Sequence, residues 1–131
     1  MAGKSDALRE RYERFSQGDL EGALDMWSDD FVWEGASASE LPGSGRHEGK
    51  QAAIEVLQQT VGAWDDFALS ADEFIEQGDT VVVLGHTDVG KGERSARLPV
   101  VHIWRYRGDD EIYRLQILTD TLESARILSI V

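Results

Sequence analysis

The sequence predicts an α+β fold in which helices cover one face of an antiparallel sheet. In the first part of the chain, apolar residues recur at the spacing of a helix. In the later part they alternate with polar residues, as they do in strands. Turn residues at 78–79 and 108–110 separate the alternating runs. Helices and one early strand therefore precede an antiparallel meander.

The first two helices follow from apolar spacing and from residues that begin or end a helix. An apolar stripe on the first helix consists of Leu8, Tyr12 and Phe15. Ser5 or Asp6 can cap this helix, and Gly18 ends it. Asp19 can cap a shorter second helix, whose apolar spacing extends to Trp27.

The remaining elements follow in order. Residues 31–35 form a short strand, and a loop rich in glycine, serine and proline covers residues 36–49. A third helix extends from about residue 50 to 61, and two hairpins come after it. The last segment can form a helix that Asp120 or Thr121 caps. Because long loops in compact domains often have a function, residues 36–49 are a candidate border of a site.

Composition limits the class of protein and its partners. A chain of 131 residues is long enough for one domain with its own core. The net charge of −12 argues against nucleic acid and against anionic membrane surfaces as partners. No apolar run reaches the length of a membrane span, and the first residues lack the apolar core of a signal peptide. The absence of cysteine excludes disulfides and thiolate chemistry, and we expect a cytoplasmic protein.

Four stretches carry a resemblance to known proteins: "RERYERFSQGDLEGALDMWSDDFVWEG", "GRHEGKQAAIEVL", "GDTVVVLGHTDVG" and "PVVHIWRYRGDDEIYRLQILTDTLESA". They resemble the SnoaL-like families of the superfamily that contains nuclear transport factor 2, ketosteroid isomerase, polyketide cyclases and limonene epoxide hydrolase. The resemblance implies one SnoaL-like domain over residues 1–131. It also implies a curved, cone-shaped sheet around three N-terminal helices, with a short C-terminal helix. An apolar pocket at the open end and a homodimer packed through the sheet belong to the same expectation.

The catalytic residues of these relatives can be compared one by one with the matching positions of this sequence. The aspartate base of ketosteroid isomerases falls at or beside Gly35, and the adjacent Glu34 points to the opposite face of its strand. Their pocket tyrosine falls near Arg11 or Tyr12. At these positions the usual base is missing, so the resemblance does not imply ketosteroid isomerisation.

Polyketide cyclases of this fold pair a histidine on the long strand with an aspartate on the last strand. The histidine matches His102, whereas the aspartate falls at Ile117. Limonene epoxide hydrolase has its aspartate at the same place. Asp120 lies three residues further on and matches a common family residue at the strand end. The pocket carboxylate of these relatives is therefore missing at Ile117, which is a candidate ligand-binding residue. His102 and Asp120 are the candidate catalytic residues.

The residues near His102 complete the candidate site. Alternation places Val100, His102, Trp104 and Tyr106 on one strand face, which the resemblance turns towards the pocket. His102 is either an acid, base or ligand donor, or a buried histidine satisfied by its neighbours. Tyr12, Trp33, Glu34, His47, Trp104 and Ile117 are the candidate ligand-binding residues.

The two remaining tryptophans and the dispersed histidines are not assigned to catalysis. Trp27 and Trp64 are expected to pack in the core, and His47 is either at the pocket mouth or an exposed loop residue. Three dispersed histidines do not have the spacing of a metal site, and no cofactor is implied.

Three functions remain open from the sequence. The first is a cofactor-independent isomerase, cyclase or hydrolase that moves a proton on an apolar cyclic or carbonyl-bearing molecule. The second is a protein that binds such a molecule without chemistry. The third is a dimeric interaction module. Whether the chain is an enzyme depends on a second polar group beside His102.

Overall fold

The computed structural model of the protein describes residues 3–37 and 40–130. The helices of this part of the chain are α1 (Lys4–Ser16), α2 (Leu20–Ala23), α3 (Lys50–Gly62) and α4 (Thr121–Ile127). The strands are β1 (Trp27–Glu34), β2 (Arg46–Glu48), β3 (Asp66–Gln77), β4 (Thr80–Lys91), β5 (Arg94–Arg107) and β6 (Glu111–Thr119). The predicted α+β class is confirmed.

The strands form one curved, unclosed sheet in the order β2-β1-β6-β5-β4-β3. Strands β3 to β6 make the predicted antiparallel meander, whereas β1 lies parallel to β6. The ladders are irregular between Ala71 and Glu73 and between Arg105 and Tyr106. Such bulges increase the local bend and twist of a strand. The sheet thereby curves around the helices.

Of the two N-terminal helices, the sequence predicted the N-cap of α2 correctly but not that of α1. Gly3 occupies the N-cap of α1, so the predicted caps at Ser5 and Asp6 are wrong. Ser5 instead donates its N–H and its hydroxyl to Glu76 of β3, both at 2.9 Å. Asp19 caps α2 as predicted, since its carboxylate accepts from the Gly22 N–H at 2.9 Å.

The second helix is shorter than predicted. It ends at Ala23, and Trp27 begins β1 instead of continuing the helix. The Trp27 ring stacks on Phe31 with ring centroids 4.0 Å apart. Phe31 is completely buried. Packing of these two aromatic rings within the core therefore outweighs the helical spacing that the sequence shows.

Turns and alternation were predicted correctly along the meander. Gln77 pairs with Thr80, so Gly78 and Asp79 make a two-residue turn, and Gly78 has a φ of 58°. On β5 the inward side chains are buried and the intervening ones are less so. The buried set comprises Leu98, Val100, His102, Trp104 and Tyr106. The inner face of β5 therefore borders both the core and the site.

Candidate functional site

A cavity of about 170 Å³ lies between the inner face of the sheet and helices α1 and α3. Its wall consists mainly of aliphatic and aromatic side chains. All four tryptophans of the sequence contribute to it, namely Trp27, Trp33, Trp64 and Trp104. The lining residues that the structure describes include no aspartate or glutamate. The cavity can therefore hold an apolar molecule between aromatic walls.

His102 supplies a polar atom to this wall. Its side chain projects inward from β5, and the residue is 8% exposed. Its Nδ1 lies 2.6 Å from the hydroxyl of Tyr12, which α1 presents from the opposite side. The Tyr12 hydroxyl also accepts a hydrogen bond of 2.9 Å from Nε1 of Trp104. Two predicted ligand-binding residues thus hold the predicted acid or base in place.

The direction of this hydrogen-bond chain follows from the groups that compose it. An indole nitrogen can only donate, so the Tyr12 oxygen accepts from Trp104. His102 Nδ1 is the acceptor within reach of the Tyr12 proton in the described part of the chain. A neutral imidazole carries one proton, which must then lie on Nε2. No described residue bonds His102 Nε2, and the atom is not sealed off from the cavity.

Burial determines the charge state of both groups. Desolvation lowers the pKa of His102 from 6.5 to about 4, so the imidazole is neutral at pH 7. Desolvation also raises the pKa of the Tyr12 phenol far above its usual 10, and the hydrogen bond from Trp104 opposes this rise. The site therefore offers uncharged hydrogen-bonding groups rather than an ion pair.

The structure explains why a base cannot occupy the position of Gly35. A Cβ at Gly35 would lie 1.7 Å from the carbonyl oxygen of Gly43. The loop after β1 is held against this point by the bond from Gly35 N–H to the Gly45 oxygen, at 2.9 Å. The Trp33 indole also donates to the Gly43 oxygen, at 2.9 Å. Loop backbone thus fills the space that a side chain at residue 35 would need.

The remaining predicted site residues lie in different places. Ile117 lines the cavity next to its cross-strand partner His102. Glu34 is outside the lining and accepts from Arg114 at 2.8 Å, which lowers the pKa of its carboxyl. His47 is also outside the lining, and its Nε2 lies 2.9 Å from the Ser44 oxygen.

Asp120 acts on α4 rather than on the cavity. It occupies the N-cap position, and its carboxylate accepts from the Glu123 N–H at 3.0 Å. Asp120 is exposed and does not line the cavity. The structure does not bring it to His102, which leaves Tyr12 as the polar partner of that histidine.

The sequence patterns did not identify several of the residues that line the cavity. Trp64 lines the cavity outside the main core cluster, which corrects its predicted core role. Trp27 belongs to both the core and the wall. Leu41 and Pro42 of the long loop also line the cavity. The loop composition suggested a functional segment, but no sequence signal identified which of its residues turn inward.

The described residues were also compared with the patterns of metal sites and of membrane-spanning helices. Within residues 3–37 and 40–130, no three histidine or acidic side chains are grouped as metal ligands would be. None of the helices in that same part of the chain has the length and apolarity to cross a membrane.

The fold and its apolar cavity define a protein of the nuclear transport factor 2-like class. The chain belongs to the SnoaL-like family, because the model of the SnoaL-like domain matches residues 8–115. The resemblance predicted from the sequence is thereby confirmed. No curated protein sequence matches the chain.

Three solved structures show the same fold. An NTF2-like protein of unknown function from Burkholderia pseudomallei K96243 is 31% identical, with 98% of this chain and 99% of that chain covered and a TM-score of 0.87. TerC, which was co-crystallised with polyporic acid, is 28% identical over 98% of this chain and 99% of its own, with a TM-score of 0.87. An NTF2-like protein from Burkholderia thailandensis E264 is 20% identical over 98% of both chains, with a TM-score of 0.85.

Proposed function

We propose that this protein binds an apolar cyclic small molecule in the cavity between its sheet and helices α1 and α3. The observation that carries the proposal is the composition of the wall. Four tryptophans contribute to it, and its described residues include no carboxylate. Aromatic walls favour flat rings, because ring faces stack with a large contact area. A single neutral imidazole then orients the ligand within an apolar site.

Proton transfer is the second candidate, and the contact between Tyr12 and His102 favours it. The distance of 2.6 Å is short enough for a working hydrogen bond at the cavity wall. Against it, the imidazole already accepts at Nδ1, and Nε2 carries the proton. A neutral imidazole in this state has no free lone pair with which to act as a base. Binding therefore ranks above catalysis.

A cyclic ketone separates these two candidates. 2-Tetralone has exchangeable hydrogens beside its carbonyl, and NMR in D₂O follows their replacement by deuterium. We expect the same exchange rate with and without the protein. A faster rate with the wild type than with His102→Gln would instead establish proton transfer at this site.

The likeness to TerC provides a first ligand to test. Polyporic acid is a dihydroxyquinone with two phenyl rings, and it therefore combines flat apolar rings with oxygen acceptors. Our proposal for this chain is a ligand of similar build, supported by the family and by the aromatic wall.

Thermal unfolding tests the proposal with polyporic acid and a panel of steroids, aromatic polyketides and terpenoids. A ligand at a hundredfold excess over its Kd stabilises the folded state by about 2.7 kcal/mol, which raises the Tm of a chain of this size by about 10 °C. Trp64→Ala should reduce this shift, because Trp64 borders the cavity outside the main core cluster. The control is Tyr113→Ala, because Tyr113 packs under Arg107 away from the cavity. An equal shift in both variants would place the ligand elsewhere.

We also propose a homodimer that forms through the outer face of the sheet. Cross-strand pairing places six apolar side chains side by side on this face, namely Ile75, Val82, Leu84, Val101, Ile103 and Leu118. Leu118 is 58% exposed and Ile75 is 47% exposed. An apolar patch on a monomer's surface commonly marks an interface, and the implied family dimer packs through the same sheet.

A further inference from the structure

The hydrogen-bond chain Trp104–Tyr12–His102 fixes which nitrogen of His102 carries the proton. Trp104 Nε1 donates to the Tyr12 oxygen at 2.9 Å, and the Tyr12 hydroxyl lies 2.6 Å from His102 Nδ1. If Nδ1 were protonated, the Tyr12 oxygen would face two donors, and no acceptor among the described residues would receive its own proton. A part-buried hydroxyl without an acceptor is costly. The chain therefore favours the tautomer with a proton on Nε2.

A doubly protonated His102 meets the same difficulty. Both of its nitrogens would donate, and the Tyr12 proton would again lack an acceptor. The other groups that pack around the ring do not favour a positive charge. The described residues that line the cavity include no carboxylate, and the guanidinium of Arg11 is engaged by Asp25 at 2.9 Å.

Several other lining donors are already satisfied by backbone oxygens. Trp33 Nε1 donates to Gly43 at 2.9 Å, Thr60 donates to Val56 at 2.6 Å, and Ser124 donates to Asp120 at 2.8 Å. The hydroxyls of Thr87 and Thr121 can rotate to donate or accept, so they do not discriminate between ligands. The Nε2–H of His102 can only donate, as can the indole N–H groups of Trp27 and Trp64 in the same wall. Among these donors, His102 is the one whose proton position is set by the chain through Tyr12.

We propose that the cavity selects ligands that place a hydrogen-bond acceptor, such as a carbonyl or quinone oxygen, against Nε2–H of His102. Ligands that present a donor at the same place are rejected, because two N–H groups would face each other in an apolar site. Tyr12 and Trp104 are positioning residues, since they set the polarity of His102 through the chain. This selectivity rests on the proposed binding function and adds the chemical class of the ligand.

The first test needs no ligand. The ¹⁵N chemical shifts of the intact, labelled protein at pH 7 report which nitrogen of each histidine is protonated. We expect His102 to show a protonated Nε2 and an unprotonated Nδ1. A protonated Nδ1, or averaged shifts that indicate a tautomer mixture, would overturn the proposal.

The second test uses three tricycles of nearly the same shape. Fluorene has no polar group, 9-fluorenone presents only an acceptor, and carbazole presents an N–H donor. Calorimetric titration should show that fluorenone binds about 2- to 10-fold more tightly than fluorene, which is the gain of one neutral hydrogen bond. Carbazole should bind more weakly than fluorene.

Tyr12→Phe should reduce the preference for fluorenone over carbazole, because His102 can then place its proton on either nitrogen. Tyr113→Phe removes a hydroxyl outside the cavity and should preserve the preference. Equal affinities of the wild type for fluorenone and carbazole would overturn the selectivity while leaving the binding function intact. Failure of the proposed binding function would give a different result. None of the three tricycles would then bind, although the ¹⁵N spectrum would show His102 protonated at Nε2.

Discussion

Acidification should destabilise the protein through His102, and the size of this effect follows from its burial. The pKa of His102 is about 4 in the folded state against 6.5 in an unfolded chain. The folded state therefore favours the neutral imidazole. This contribution is fully present above pH 6.5, decreases as the pH falls, and is lost below pH 4. At pH 5, about 97% of the unfolded chains but only about 10% of the folded ones carry the proton, which amounts to about 2 kcal/mol.

Urea unfolding at pH 8 and pH 5 measures this effect in the wild type and in His102→Gln. The carboxylates of both proteins titrate alike, so the difference between their pH-dependent losses isolates His102. We expect the variant to lose about 2 kcal/mol less than the wild type between the two pH values. His47→Gln keeps His102 and should behave as the wild type does. Equal losses in His102→Gln and the wild type would refute the argument that burial keeps this imidazole neutral.

Three further predictions concern the framework of the site and the proposed dimer. Gly35→Ala should lower the free energy of unfolding by about 1–3 kcal/mol, because its Cβ would meet the Gly43 oxygen at 1.7 Å. In contrast, Gly62→Ala in α3 meets no atom within 4 Å and should be neutral or stabilising by up to about 1 kcal/mol; urea unfolding compares the pair. Asp120→Ala should cost about 1 kcal/mol by removing the cap of α4 but leave fluorenone affinity unchanged, which calorimetry would check. Leu118→Asp should prevent formation of the proposed dimer in sedimentation equilibrium, and a wild type that is already monomeric would disprove the proposed interface.

Local patterns predicted the fold well where local forces determine it. The alternation around His102 and Trp104 gave the correct inner face, because a strand that borders a core must bury every second side chain. The turn at Gly78 could be predicted because it needs a positive φ, which glycine adopts without strain. Trp27 was misassigned because its helical spacing competes with stacking on Phe31, which depends on the packed core.

The site was predicted less completely because its contacts join distant parts of the chain. His102, Tyr12 and Trp104 were each identified, but the hydrogen bond between Tyr12 and His102 spans 90 positions and depends on how α1 packs against β5. The inward position of Trp64 likewise follows from tertiary packing. The collision that keeps residue 35 a glycine depends on the path of the following loop, which composition alone does not determine.

The four tryptophan indoles offer the most direct test of ligand binding in the cavity, since every one of them lines it. Their N–H groups give separate signals in a ¹H–¹⁵N spectrum, and 9-fluorenone can be titrated into the labelled protein while these signals are followed. We expect saturable changes in the indole signals, including that of Trp104, which bonds Tyr12 beside His102. Indole signals that stay unchanged to saturating ligand in a folded protein would contradict this expectation.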